Sequence, residues 1–396
     1  MRILTRTVWI LSVVSLFADI ASEMLYPVVP VYLQKIGFTI LWIGVLEGLA
    51  NFTSGISKGY FGKLSDEKGM RLPFIRFGYF FSSISKPMMA MFTAPVWIFF
   101  SRTLDRFGKG LRTAPRDALL SKEATKETKG SVFGFHRAMD TVGATLGPIA
   151  AVLFLSVRPG EYKTVFYLAF IPGIISVILL FLLKEKKQPS STLRKGNFFS
   201  FFGYWKIATP EYKKLATGLF LFAVANSSDI FLLLRTKQIT GSDSITIGAY
   251  IFYNLVYALL SYPLGRLGDR YGLKKVFLSG LFLFCLVYAG FAFAATSAQI
   301  FALFFLYGIY AAATDGITKA WITNIAHENN TATAIGFYTS GESICTLLSS
   351  IIAGFIWTKT SSSVTFICTS TAAFIVFFYL IVALKQPRQQ AAIFPK

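Results

Sequence analysis

A chain of 396 residues that is 54% hydrophobic, only 15% charged and rich in phenylalanine, 41 in all, lies far outside the composition of an ordinary soluble globular protein. Apolar runs of about 20 residues, the length that crosses a bilayer, recur along most of it, so the class is a multi-spanning membrane protein. The net charge of +20 does not point to nucleic acid, because the cations cluster between apolar runs, where cytoplasm-facing loops carry them and meet anionic membrane lipid.

The first predicted span covers residues 8–33. Arg2 and Arg6 before it resemble a signal peptide, but Asp19 and Glu23 interrupt the apolar run and no small-residue cleavage site follows, so the segment is expected to be retained. Ser12, Ser15, Asp19, Ser22, Glu23 and Tyr26 form one stripe, followed by Pro27 and Pro30. Asp19 and Glu23 are one turn apart and hard to keep ionised together without a cation. Two readings stand: proton carriers, or static partners of arginines in the fourth span. The second span, 41–61, places Glu47, Asn51, Ser54 and Lys58 at successive turns, and the third, 72–92, carries Lys86 deep inside.

The fourth span, 95–117, exists only if "SRTLDRFGKGLRTAPRD" is helical. A phosphate-binding P-loop is excluded, since Thr103 and Gly110 stand where it needs glycine and Ser or Thr. At a helical pitch Arg102, Asp105, Arg106, Lys109, Arg112, Arg116 and Asp117 share an arc of roughly 140°, with Leu104, Phe107, Leu111, Ala114 and Ala118 opposite. A loop has no reason to sort its charges, so a membrane helix with a cationic cavity face is predicted. Arg102 and Arg106 then lie near mid-membrane, holding either cargo or the acids of span one. Arg112 and Arg116 fall nearer the cytoplasmic end, as anchors and gate partners.

In the fifth span, 130–156, His136 and Arg137 lie within a turn of Asp140, suited to an ion pair or a proton relay. Gly143, Gly147 and Pro148 follow as close-packing and bending positions. After the sixth span, 163–183, the basic stretch "KEKKQPSSTLRKGNFFSFFGYWKIATPEYKK", 184–214, is a cytoplasmic linker with an interfacial helix. The second set comprises 215–234 with Asn226, Ser227, Ser228 and Asp229; 245–264; 274–294; 297–320 with Asp315 and Lys319; 332–356 with Tyr338 and Glu342; and 363–384. Asp315 and Lys319, one turn apart, are expected to neutralise each other. The opposite-side connections "TAPV" and "ATSAQ" carry no charge, which with twelve spans puts both termini in the cytoplasm. Cys285, Cys345 and Cys368 show no metal spacing, and neither metal nor cofactor is expected.

The halves 1–183 and 215–396 are related. "GKLSDEKGMR" recurs as "GRLGDRYGLKK", with Gly62 and Gly265, and Asp66 and Asp269, each 203 positions apart. "FGFHRAMD" likewise matches "IGFYTSGE", with Gly134 and Gly336, and Asp140 and Glu342, each 202 apart. An offset kept across two motifs argues for duplicated six-helix halves.

Gly62, Leu64, Asp66, Gly69 and Arg71 resemble the loop 2–3 signature of the major facilitator superfamily, and Gly265, Leu267, Asp269, Arg270, Gly272, Lys274 and Lys275 fit it more fully. Glu67 departs from the pattern, which usually has a basic residue there. More narrowly, "SEMLYPVVPVYL", "LDRFGKGLRTAPRDAL", "FGFHRAMDTVGATLGP" and "NSSDIFLLLR" resemble a bacterial and archaeal subfamily within it. The resemblance implies an all-α integral membrane fold of two pseudo-symmetric six-helix bundles. It also implies a cytoplasmic gate in which Gly62 and Gly265 permit close helix approach while Asp66 and Asp269 hold loop cations and a facing helix end. "VGATLGP" resembles the antiporter motif of the fifth helix, with Ala150 and Ala151 in place of its trailing glycines.

The expected function is alternating-access transport of a small anionic or amphipathic solute by a monomer in the cytoplasmic membrane, as proton-coupled efflux. Proton-coupling candidates are Asp19, Glu23, Asp140, Glu47, Asp229 and His136. Cavity candidates are Tyr26, Asn51, Lys58, Lys86, Arg102, Asp105, Arg106, Lys109, Arg137, Asn226, Asp315, Lys319, Tyr338 and Glu342. Uptake of an anionic metabolite or a carboxylate-type metal chelate is the alternative, and an integral-membrane enzyme a remote one.

Overall fold

The structure, a computed structural model, describes residues 3–26, 28–185 and 198–384. Arg2, Pro27 and residues 186–197 of the basic linker lie outside the described residues. Helix dominates: α1 (Arg6–Glu23), α2 (Val28–Lys35), α3 (Ile40–Lys68), α4 (Leu72–Met91), α5 (Pro95–Lys122), α6 (Lys129–Val157) and α7 (Tyr162–Leu179) form the first half. A short helical segment, Phe198–Gly203, and α8 (Tyr204–Ile207) precede the second half, which comprises α9 (Pro210–Ala225), α10 (Ile230–Thr240), α11 (Asp243–Tyr271), α12 (Leu273–Phe293), α13 (Ser297–Ile325), α14 (Thr331–Lys359) and α15 (Ser362–Ala383). With α1/α2 and α9/α10 each broken in mid-column, these make two sets of six columns. Thr5, Thr39, Thr209, Ser242, Thr296 and Ser361 cap helix starts by accepting a backbone N–H.

Nine columns are long and apolar enough to cross a membrane by composition among the described residues. The three that fall short are α3, α4 and α5, and α5 carries the densest buried charge, with Arg102, Asp105, Arg112, Arg116 and Asp117 all buried. The contested stretch is helical throughout, and α5 runs to Lys122, five residues beyond the predicted span. Nothing but helix could be tolerated there, because a lipid-embedded backbone must satisfy its own polar groups.

The halves meet chiefly through α3 against α14 and α6 against α11. Asp66, at the end of α3, accepts from Thr333 N at 2.7 Å and Thr333 Oγ1 at 2.8 Å in the first turn of α14. Asp269, at the end of α11, accepts from Gly130 N and Ser131 N at 2.7 Å and Ser131 Oγ at 2.5 Å in the first turn of α6. Each half thus supplies the carboxylate that satisfies orphan N–H groups of the other half's helix, where the macrodipole also favours negative charge. The expected loop cation is present in one copy only: Arg71 sits 3.3 Å from Asp66, whereas Arg270 lies over the Tyr271 ring and Lys274 donates to Leu384 O. Glu67 pairs with Lys63 at 3.3 Å. Gly69 and Gly272 end their helices at φ of 64° and 100°, in the left-handed region.

Glycine is required at the crossings. A Cβ on Gly265 would stand 2.2 Å from Gly130 O, and one on Gly62 2.4 Å from Ala332 O. Gly265→Ala is therefore expected to force α11 away from α6 at a cost of about 1–3 kcal/mol. A lower thermal midpoint and faster maleimide labelling of a Ser261→Cys reporter, buried beside the same crossing, would register it.

Candidate functional site

The charged face of α5 is built in layers. At the end remote from the gate loops, Arg102 donates from Nε and a terminal nitrogen to the two oxygens of Glu47 on α3, at 2.7 and 2.9 Å. This is a bidentate pair of the kind guanidinium geometry favours. Arg102 also lies 3.3 Å from Asp105, and Arg106 lies 3.8 Å from Glu47. Asp105 accepts from Ser82 Oγ at 2.6 Å and lies 3.5 Å from Lys86, whose Nζ donates to Ser82 O at 2.8 Å. The sequence reading is corrected here. Arg102 and Arg106 hold the acid of span two, not Asp19 and Glu23 of span one, and Lys86, Arg102 and Asp105 form a buried cluster that does not line the central cavity. Periodicity had placed these charges on the right face of α5 without saying which helix faces them.

Roughly two to three turns beyond Arg106, nearer the gate, the Arg112 guanidinium stacks over Tyr79 at 4.2 Å, and Arg116 donates to Asp117 Oδ1 at 3.0 and 3.1 Å and to Ser15 Oγ at 2.8 Å. Both arginines also line the cavity. Asp117, fully buried, lies 2.7 Å from Lys319 of α13. Arg137 of α6 reaches Asp315 of α13 at 2.5 Å, with the Tyr257 hydroxyl bonded to both. Asp315 and Lys319 therefore do not neutralise each other. Each crosses to the opposite half, and the result is two ion pairs between halves at the base of the cavity.

Above these pairs a central cavity of about 220 Å³ adjoins a second of about 580 Å³, the two sharing Lys58, Lys109 and Glu342. The second extends along α3 and α14 past Asn51 and Ser350, away from the gate. Six cations line the first, namely Lys58, Lys109, Arg112, Arg116, Arg137 and Lys319, against the acids Asp19, Asp140, Asp315 and Glu342. Arg106 lines the second. Lys58, Lys109 and Asp19 have no ion pair or hydrogen bond through their charged groups among the described residues. His136 and Arg137 lie 3.6 and 3.7 Å from Asp140, as their spacing predicts, and His136 Nδ1 meets Ser12 Oγ at 3.3 Å. The repeat partners answer them: Tyr338 donates to Glu342 at 2.6 Å.

Hydrogen bonds and ion pairs between the halves, among the described residues, join positions 55–137 to positions 257–340, all in the gate-side portion of the fold. The cavity is thus closed toward the gate loops. Asp229 stands at the α9/α10 break and accepts from Tyr307 at 2.6 Å, while Asn226 Nδ2 donates to Tyr310 at 3.4 Å. Glu23 and the exposed Tyr26 occupy the corresponding α1/α2 break, at a depth set by Gly143 and Gly147, which pack against the Leu16 and Ile20 carbonyls. Sequence reasoning did not single out Tyr79, Tyr257 or Tyr307. Aromatic residues are so abundant here that a tyrosine with a functional partner carries no distinguishing pattern.

The sequence profile of the Major Facilitator Superfamily matches residues 11–251 and 215–395, which together span most of the chain. The chain belongs to the major facilitator superfamily. Among its relatives, an uncharacterised MFS-type transporter of Methanocaldococcus jannaschii, MJ1317, is 33% identical over 380 residues, 94% of each chain. The multidrug resistance protein MdtG of Citrobacter koseri is 26% identical over 300 residues, 73% of this chain and 72% of that protein. Similar solved folds include the human organic anion transporter MFSD10, with a TM-score of 0.77 at 15% identity covering 95% of this chain and 99% of that one. The transporter FucP in its outward conformation gives 0.79 at 11% identity, covering 97% and 100%. This superfamily member is accordingly a multi-pass membrane transporter of small molecules, as its sequence led one to expect, and not an enzyme.

Proposed function

We propose that this protein exports a small organic anion across the cytoplasmic membrane in exchange for protons, with its termini and gate loops in the cytoplasm. The observation that carries the cargo class is the cavity's charge: six cations against four acids line it, and Lys58 and Lys109 make no ion pair or hydrogen bond through their charged groups among the described residues. A low-dielectric cleft lined by unpaired cations draws anions in and holds them with charge-assisted hydrogen bonds. Export is favoured by the likeness to the multidrug resistance protein MdtG and by the Gly143, Gly147 and Pro148 motif on α6. Proton coupling rests on Asp19, which faces the same cavity. The charges around it are Lys109 and Arg112 of α5, Asp140 of α6 and Glu23 of its own helix.

In this cycle the gate-closed state presents the cavity to the outer side, where protons enter and the anion leaves. Return to the gate-open state requires that Asp66 and Asp269 release α14 and α6. Uptake of an anionic metabolite or carboxylate-type metal chelate is the second reading, favoured by the same cation excess, which has no direction.

Purified protein in liposomes with an imposed pH gradient, offered organic anions, cationic drugs and metal chelates in turn, tests both. Counterflow of protons and one anion supports export, whereas co-movement supports uptake. Transport restricted to cationic drugs would reject the cargo class. Lys109→Gln is expected to weaken binding of the transported anion by about 1.5–3 kcal/mol, roughly ten- to a hundredfold, in a thermal-shift titration. Arg102→Gln is expected to reduce stability instead, because it removes the bidentate pair to Glu47 and leaves only the 3.8 Å contact with Arg106.

A further inference from the structure

A second charged cavity, of about 720 Å³, lies at the gate-loop end and shares no lining residue with the transport cavities. We propose that it is a binding site for a small multiply charged anion of the phosphate type, whose occupancy holds the two halves together and favours the gate-closed state.

Its walls come from both halves. The first half contributes Arg71, the last turn of α5 and the 122–129 connection; the second contributes the last turn of α13 and the 325–331 connection. Lys122, Lys126 and Lys129 converge on it with Arg71, and Glu328 is the one acid that lines it. Arg71 is engaged by Asp66. Lys129 is buried and donates to a neutral acceptor, Thr323 O across the interface, at 2.7 Å, and makes no ion pair within contact distance among the described residues. Lys122 and Lys126 are exposed and enter no ion pair among the described residues. Three ammonium groups and one guanidinium around one concavity, against the single lining carboxylate of Glu328, raise the local potential for anions above that of scattered surface lysines.

The same residues already bridge the halves. Asn324 Nδ2 donates to Lys126 O at 3.1 Å, parallel to the Lys129–Thr323 contact. A volume of about 720 Å³ exceeds what one phosphate fills and fits a diphosphate or a phosphate with its organic substituent. Because such a ligand touches both halves only while the gate is closed, it must shift the equilibrium toward that state.

The chemistry is shared by soluble phosphates and by the headgroups of anionic lipids, and the test separates them. Full-length protein in phosphatidylcholine nanodiscs would be titrated with pyrophosphate, and in parallel reconstituted with phosphatidylglycerol and no pyrophosphate. Amide hydrogen exchange over residues 122–131 and 323–331 is the readout. Protection by pyrophosphate identifies a soluble phosphate, and protection by phosphatidylglycerol alone identifies a headgroup. Lys122→Gln with Lys126→Gln alters two exposed side chains and leaves Lys129 in place, so folding is preserved. The double variant is expected to weaken the apparent affinity about tenfold or more. Absence of protection in both arms, or equal protection in wild type and double variant, overturns the proposal.

Discussion

Asp19→Asn is expected to abolish pH-gradient-driven accumulation of the anion while leaving anion-for-anion exchange intact. The reason lies in how the buried acids are committed. Glu47 is held bidentately by Arg102, Asp105 by Ser82 and Lys86, Asp117 by Arg116 and Lys319, and Asp140 lies between His136 and Arg137. Each has a cation or donor that would be stranded if the carboxylate lost its charge. Asp19 makes no ion pair or hydrogen bond at contact distance among the described residues, and it faces the cavity with Lys109 and Arg112 of α5, Asp140 of α6 and Glu23 of its own helix as its charged surroundings. Its protonation state can therefore follow the occupancy of the cavity: an anion beside Lys109 withdraws cationic support from Asp19, and a proton compensates. A tenfold coupling needs only about 1.4 kcal/mol of difference between the two states. Asparagine keeps the shape and cannot exchange a proton, so binding and rocking continue while the gradient does no work. Vesicle uptake with and without the gradient, beside isotope exchange at equal pH, separates the two. Loss of both activities would make Asp19 structural, and retention of both would move the coupling role to Glu23 or Asp140.

Much of the fold was legible because membrane helices announce themselves through apolar length, and because the repeat fixes correspondence between halves. Ser131 and Thr333, 202 positions apart, receive Asp269 and Asp66 in the same geometry. The charged face of α5 was legible for the same reason, since periodicity assigns residues to faces. Partnership across helices was not. Arg102 chose Glu47 over Asp19 and Glu23 because α5 packs along α3 and has only slight contact with α1. Asp315 and Lys319 looked self-neutralising at one-turn spacing. Placed on α13 opposite Arg137 and Asp117, each finds a partner across the interface, and one-turn neighbours on a helix gain only about 0.2–0.5 kcal/mol from pairing. Arg112 and Arg116 reach the cavity wall because α5 continues past them to Lys122, which a depth counted from Pro95 alone does not show.

Asp117→Asn should be among the most damaging single substitutions in the protein, and its rescue shows whether the Asp117–Lys319 pair joins the halves or merely fills space. Asp117 is fully buried, with Lys319 at 2.7 Å and Arg116 at 3.0 Å. Removing one member of such a cluster leaves buried charge uncompensated, at a cost of about 3–5 kcal/mol and on the order of 10 °C in thermal midpoint. Lys319→Gln costs less, because Arg116 still satisfies Asp117. Combining the two removes the stranded ammonium, so the double variant should be more stable than Asp117→Asn alone, with a coupling of about 1–3 kcal/mol. Stability by itself does not identify a lock between halves. The discriminating comparison is Lys319→Gln against Lys86→Gln, since Lys86 pairs with Asp105 inside the first half. If the Asp117 pair restrains the gate, maleimide labelling of the buried Ser261→Cys reporter accelerates in Lys319→Gln and stays at the parental rate in Lys86→Gln. Equal acceleration in both would reduce the Asp117–Lys319 contact to a general contribution to folding and leave the gate to Asp66 and Asp269.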